Sequence, residues 1–164
     1  MSLDGFIATS EGGYGWIAGD GTHDLDTKDR WNYEAFLQTV DLVIMGKNCF
    51  DQKMHEDFTD QKVWVATSES LDDSGNVHFI RGDIADVVVR EKSRSGKNIF
   101  IFGGGKVAHH FLQSDAIDEY YIGIVPIILG SGKPLFVGGS PDIPLRLKSI
   151  TSEEGVVVLH YVRR

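Results

Sequence analysis

Hydrophobic residues in this chain gather into short unbroken runs, with amphipathic stretches between them. DLVIM at 41–45, KVWVA at 62–66 and NIFIF at 98–102 each give way to small or polar residues, and EYYIGIVPIIL at 119–129 is the longest run. Runs without polar alternation predict strands covered on both faces, the habit of parallel sheets. Between them, apolar residues recur at helical spacing over 27–39 (Trp31, Phe36 and Leu37, with Val40), over 83–94 (Ile84, Val87, Val88) and over 105–114 (Val107, Ala108, Phe111, Leu112). The ending differs: 143–151 and 155–163, joined through Glu153, Glu154 and Gly155, predict an antiparallel hairpin. The expected architecture is α/β, a mostly parallel sheet with helices on both faces and a C-terminal antiparallel hairpin. No repeat, low-complexity tract or linker divides residues 1–164, so one domain is expected.

Composition narrows the possible partners. A net charge of −8 disfavours a general nucleic-acid surface and an anionic membrane, while leaving room for a local basic pocket. The one cysteine, Cys49, allows neither an internal disulfide nor a cysteine metal cluster, which fits a reducing cytoplasm. No apolar run approaches the roughly 20 residues of a membrane span.

The densest chemical signal is IFIFGGGKVAHHFLQ at 99–113, three glycines between a predicted strand and a predicted helix. Glycine loses the most backbone entropy on folding, so a triplet points to a place where side chains are excluded. GGGKVA at 103–108 fits G-x-G-x-x-G/A, but the acidic residue that would close the next strand of a Rossmann unit is missing. The phosphate-cradling physics of bare N–H groups at a helix N-terminus stands without that fold. Two further predicted strand ends carry phosphate-compatible groups: Gly46, Lys47 and Asn48 after the first, Thr67 and Ser68 after the second. Such a row along one sheet edge suits an extended dinucleotide.

Other constellations fail on spacing. GSGKP at 130–134 has Pro134 where a P-loop needs Ser or Thr, and adjacent His109 and His110 point to different sides of a helix. Asp20 to Asp29 lacks the glycine and ligand spacing of a calcium loop, and no metal site is expected. No G-x-S-x-G element exists for a serine nucleophile.

MSLDGFIA (1–8), DLVIMGKNCF (41–50), VWVATS (63–68) and IFIFGGGKVAHHFL (99–112) together resemble the dihydrofolate reductase-like superfamily. IDEYYIGIVPIILGSGKPLF (117–136) is similar, more narrowly, to its riboflavin-biosynthesis branch, the C-terminal reductase domain of bifunctional deaminase-reductases. The resemblance implies a three-layer α/β/α fold, NADPH as cofactor, hydride transfer to a small heterocyclic substrate and a homodimer. By position, it implies that Gly46, Lys47 and Asn48 hold the pyrophosphate or adenosine 2′-phosphate, and that Thr67 and Ser68 lie near the adenosine. Phe102, Gly103, Gly104, Gly105, Lys106 and Val107 would cover the pyrophosphate and nicotinamide side. On the substrate side it implies Asp4, Trp16 at the end of a lid-like EGGYGW, and Asp29 near a ring-anchoring carboxylate. The implied reaction is that of a 5-amino-6-(5-phosphoribosylamino)uracil reductase, with dihydrofolate reduction or a non-catalytic nucleotide-binding domain as alternatives.

The chain departs from the pattern in two ways. The deaminase half and its H-x-E…P-C-x-x-C zinc motif are absent. The strand that usually precedes the MSLDG segment is not in the sequence. Because unpaired neighbours in a sheet are costly, residues upstream of Met1, or a shift of Met1 to Ala8 into the gap, are expected.

Overall fold

A computed structural model describes residues 1–164. In chain order it contains β1 (Phe6–Ala8), α1 (Tyr33–Leu37), β2 (Val40–Gly46), α2 (Lys47–Asp51) and a 3-10 turn (Met54–Asp57). Then follow β3 (Lys62–Ala66), β4 (Val77–Ile80), α3 (Ile84–Lys92), β5 (Asn98–Gly103) and α4 (Gly105–Gln113). β6 (Glu119–Ile124), β7 (Lys133–Pro134), β8 (Leu145–Glu153) and β9 (Val156–Arg163) complete the chain. The chain divides into two compact units, a central one of Tyr33–Ala116 and a terminal one of Met1–Asn32 with Ile117–Arg164.

The central unit is an α/β fold on a four-stranded parallel sheet in the order β4-β3-β2-β5. The three short apolar runs form β2, β3 and β5, and β2 is buried on both faces: Leu42, Val43, Ile44 and Met45 are at most 3% exposed. Register puts Val43 level with Val63 and Phe100, so Val43, Met45, Val63, Val65, Phe100 and Phe102 share one face. Phe36, Leu37, Phe50 and Phe58 pack onto that face. The chain runs from β2 outward to β3 and β4, then returns past β2 to reach β5. Right-handed crossovers in opposite directions place α2 and α3 on opposite faces, which gives the α/β/α layering. They also create a switch point between β2 and β5, the place where open α/β sheets bind ligands.

β4 was not predicted: VHFI is only four residues long and carries His78 in its middle. Asp73 anchors it, accepting a 2.9 Å hydrogen bond from Phe79 N–H and contacting His78 Nδ1 at 2.8 Å.

In the terminal unit β6, β9 and β8 form an antiparallel sheet, and β1 pairs with β7. The predicted hairpin is there, closed by Glu154 and Gly155 with φ of 49° and 77°, two positive values in succession as a type I′ turn requires. Residues 19–30 clasp that turn. Asp20 N–H donates to Glu154 O at 2.8 Å, Glu154 N–H to Asp26 Oδ1 at 2.8 Å, and Ser152 N–H to Thr27 Oγ1 at 2.9 Å. Arg30 forms ion pairs with Glu153 and Asp26.

Two predicted elements come out shorter. The helix expected over 27–39 is confined to Tyr33–Leu37, because residues 26–30 are bound to the hairpin turn. The 119–129 run stops as a strand at Ile124, two residues before Pro126, which has no N–H to donate. Met1 to Leu3 line the continuation, with Val125 N–H donating to Met1 O and Leu3 N–H to Ile127 O, both at 2.8 Å.

Candidate functional site

Every parallel strand of the central unit ends on the same edge, with Gly46 level with Ala66, Ala66 with Ile80, and Met45 with Gly103. Neighbouring strands lie about 4.8 Å apart, so the row of strand ends is about 14 Å long. Lys47 and Asn48 follow β2, Thr67 to Glu69 follow β3, Arg81 follows β4, and Gly104 to Lys106 follow β5. The structure therefore brings Gly46, Lys47, Asn48, Thr67, Ser68 and Gly103 to Lys106 to one edge.

At the switch point the β2–α2 and β5–α4 turns are packed together. A Cβ on Gly46 would stand 3.2 Å from Val107 Cγ2, and one on Gly103 would stand 3.7 Å from Cys49 Sγ. The Gly103–Gly104 peptide is cis. Gly104 caps α4 in an extended conformation (φ −96°, ψ −178°) and brings no side chain to the helix's first N–H groups. α3 shows the contrast: Asp83 caps it with its own carboxylate, accepting from Ala85 N–H at 2.9 Å and Asp86 N–H at 3.3 Å. An uncapped first turn approached over bare glycine is a chemical match for a diphosphate.

The side chains on this edge differ in how they are engaged. Lys106 is exposed and forms no ion pair. Lys47 is held by Asp51 Oδ1 at 2.6 Å and stands 3.7 Å from Glu69 Oε2. The Asp51 hydrogen bond, helped by both nearby carboxylates, raises the Lys47 pKa above the usual lysine value. Thr67 Oγ1 accepts from Glu69 N–H at 3.0 Å, closing a tight turn that presents Ser68 to solvent, and Asn48 in α2 is exposed as well. Phe102 and Val107 flank the glycine turn on its core side. The Phe102 ring packs 5.0 Å from Phe58, and Val107 is 8% exposed.

Sequence reasoning missed Arg81 and Glu69. Arg81 follows the unrecognised strand β4, and the HFIRGD segment held the signal for it. Nothing local shows that Glu69 faces Lys47, 22 positions earlier.

The three substrate-side candidates lie in the terminal unit. Asp4 accepts hydrogen bonds from Ser2 Oγ (2.7 Å), Leu129 N–H (3.1 Å) and Gly130 N–H (2.7 Å). Those bonds, Ser2's above all, lower its pKa. Asp4 thus ties Ser2 and the 129–130 loop to the segment that precedes β1. Trp16 is half-buried, and its indole N–H donates to Gly13 O at 3.2 Å. Thr9 accepts from the same segment, Gly13 N–H reaching its hydroxyl at 3.0 Å, so EGGYGW forms a self-bonded loop. The Asp29 carboxylate is exposed, and only its backbone carbonyl is engaged, by Thr27 Oγ1 at 2.6 Å. No group of three or more His, Cys, Asp or Glu side chains is placed to hold a metal ion, and no helix is long and apolar enough to cross a membrane.

A parallel α/β sheet with paired glycine turns at its switch point has the layout in which open α/β folds bind ligands beyond their strand ends. Comparison with known proteins makes this specific: residues 1–159 match the model of the RibD C-terminal domain, and the chain belongs to that family. It is 35% identical over 170 residues to the uncharacterized Bacillus subtilis (strain 168) protein YwjB, covering 99% of this chain and 94% of that protein. Among solved structures, it is similar to a Shewanella sp. PV-4 protein provisionally assigned to riboflavin biosynthesis, with a TM-score of 0.79, 24% identity and coverage of 100% and 95% of the two chains. It is similar also to a diaminohydroxyphosphoribosylaminopyrimidine deaminase/5-amino-6-(5-phosphoribosylamino)uracil reductase from Thermotoga maritima. There the TM-score is 0.70 at 17% identity, covering 99% of this chain and 54% of that one.

Proposed function

We infer that this chain is an NADPH-dependent reductase of the RibD type, acting on a pyrimidine that carries a phosphoribosylamino group. One observation supports this reading most: the uncapped, glycine-built start of α4 lies beside the β2–α2 turn at the switch point, with Lys47 and Lys106 on the same edge. Gly104, Gly105 and Lys106 would hold the diphosphate on backbone N–H groups and one ammonium. Lys47, Ser68 and Thr67 would take the adenosine end and its 2′-phosphate. When bound, the cofactor supplies a hydride from its nicotinamide, and the substrate gains that hydride and a proton as its ribosyl group becomes a ribityl chain. The carboxyl ends of β2 and β5 orient the donor, and their glycines admit it to the backbone.

The test is NADPH oxidation followed at 340 nm with 5-amino-6-(5-phosphoribosylamino)uracil and, in parallel, dihydrofolate. Turnover of the uracil alone is the expected result. Turnover of dihydrofolate alone assigns the other reduction. Saturable NADPH binding without turnover of either leaves a nucleotide-binding domain.

A further inference from the structure

The strand-end edge carries one charged group that a 2′-phosphate site does not need. Lys47 stands on the same edge as Ser68 in the proposed adenosine region, and it is already flanked by Asp51 at 2.6 Å and Glu69 at 3.7 Å. These three groups, one ammonium and two carboxylates, together carry a net charge of −1. Asp51 is one helical turn after Lys47 and stays with it. Glu69 comes from the other side, from the turn after β3 that also carries Ser68, and its carboxylate is more than half exposed at 58%. Any group that reaches Lys47 between β2 and β3 therefore passes beside Glu69.

We propose that Glu69 sets the balance between the two nicotinamide cofactors, opposing the 2′-phosphate of NADPH that Lys47 attracts and tolerating the 2′-hydroxyl of NADH. This rests on the reading of the site as a nicotinamide dinucleotide site. A phosphate monoester carries between one and two negative charges near neutral pH. At a separation of several ångströms in water-like dielectric, its repulsion by one carboxylate amounts to about a five- to tenfold change in binding, and salt weakens it. The 2′-hydroxyl of NADH carries no charge to repel and can donate a hydrogen bond to a carboxylate. Glu69 is thus a selectivity residue that moderates a preference created by Lys47.

The test is calorimetric titration of NADPH and NADH into the full chain and into Glu69→Gln, at low and at high salt. Glu69→Gln keeps the size of the side chain and removes its charge. The expected result is a five- to tenfold rise in the ratio of NADPH to NADH affinity at low salt, carried by NADPH and shrinking as salt is added. An unchanged ratio overturns the proposal. A fall in the ratio also overturns it, since Glu69 would then be positioning Lys47 for the phosphate. If the unmodified chain binds neither cofactor, the dinucleotide reading fails and this proposal with it. If both bind and only the ratio fails to move, the dinucleotide reading stands and the role of Glu69 alone is lost.

Discussion

Lys47 and Lys106 stand on one sheet edge yet differ in what surrounds them, and that difference separates their expected roles. Lys106 is exposed and unpaired, next to the uncapped start of α4. A charge-assisted hydrogen bond from it to a diphosphate contributes to both nicotinamide cofactors alike. Lys106→Ala should lower affinity for NADPH and NADH together, each by about tenfold, and leave thermal unfolding unchanged. Lys47→Ala should instead lower NADPH affinity by about tenfold and spare NADH, because only the 2′-phosphate distinguishes them. Paired calorimetric titrations check both; the same loss of both cofactors in the two variants would place Lys47 at the diphosphate. Tyr121 marks a residue-scale feature of the terminal unit. Burial first, then its hydrogen bond to Glu119, pushes its hydroxyl pKa up to about 12. Burial raises the Tyr33 and Tyr120 hydroxyls too, so ultraviolet titration should show Tyr121 among the last tyrosines to ionise, and Glu119→Gln should bring its titration lower.

Among the helices, α3 and α4 are the informative pair. Asp83 satisfies the first N–H groups of α3, and its replacement by Ala should cost about 1 kcal/mol and lower Tm by about 2–4 °C. A larger loss would mean that Asp83 does more than cap. The loop on the hairpin turn gives a pH-dependent test. The Asp26 hydrogen bond and charge raise the His23 pKa above its ordinary value, and contact between them is at 2.9 Å. A raised folded-state pKa stabilises the clasp fully below about pH 6.5, and the contribution is lost as pH rises through that pKa. Amide exchange over 20–27, corrected for intrinsic rates, should speed up as pH rises above about 6.5, the ordinary histidine value, and His23→Ala should abolish that dependence.

The same elements show what the sequence made legible. β2, β3 and β5 were readable because strands buried on both faces leave unbroken apolar runs, and α4 because its glycine start and apolar stripe are both local. The helix expected from residue 27 failed on contacts with residues 152–154, about 125 positions away, which no local window contains. The glycine turns at 46 and 103–105 were legible as places that exclude side chains. The engagement of Asp4 by Leu129 and Gly130, and of Lys47 by Glu69, depended on where distant loops return.

For the whole molecule, the proposal is that one sheet edge holds a dinucleotide for a reductase of the RibD C-terminal domain family. The homodimer implied by the family resemblance belongs to the same proposal, and light scattering should report about twice 18.2 kDa. The central claim concerns place, and a crystal soaked with NADPH addresses it most directly. We predict electron density along the carboxyl ends of β2, β3 and β5, with the diphosphate against Gly104, Gly105 and Lys106 and the 2′-phosphate beside Lys47 and Ser68. Nucleotide bound away from this edge, or none at millimolar NADPH in crystals with the edge open to solvent, would contradict it.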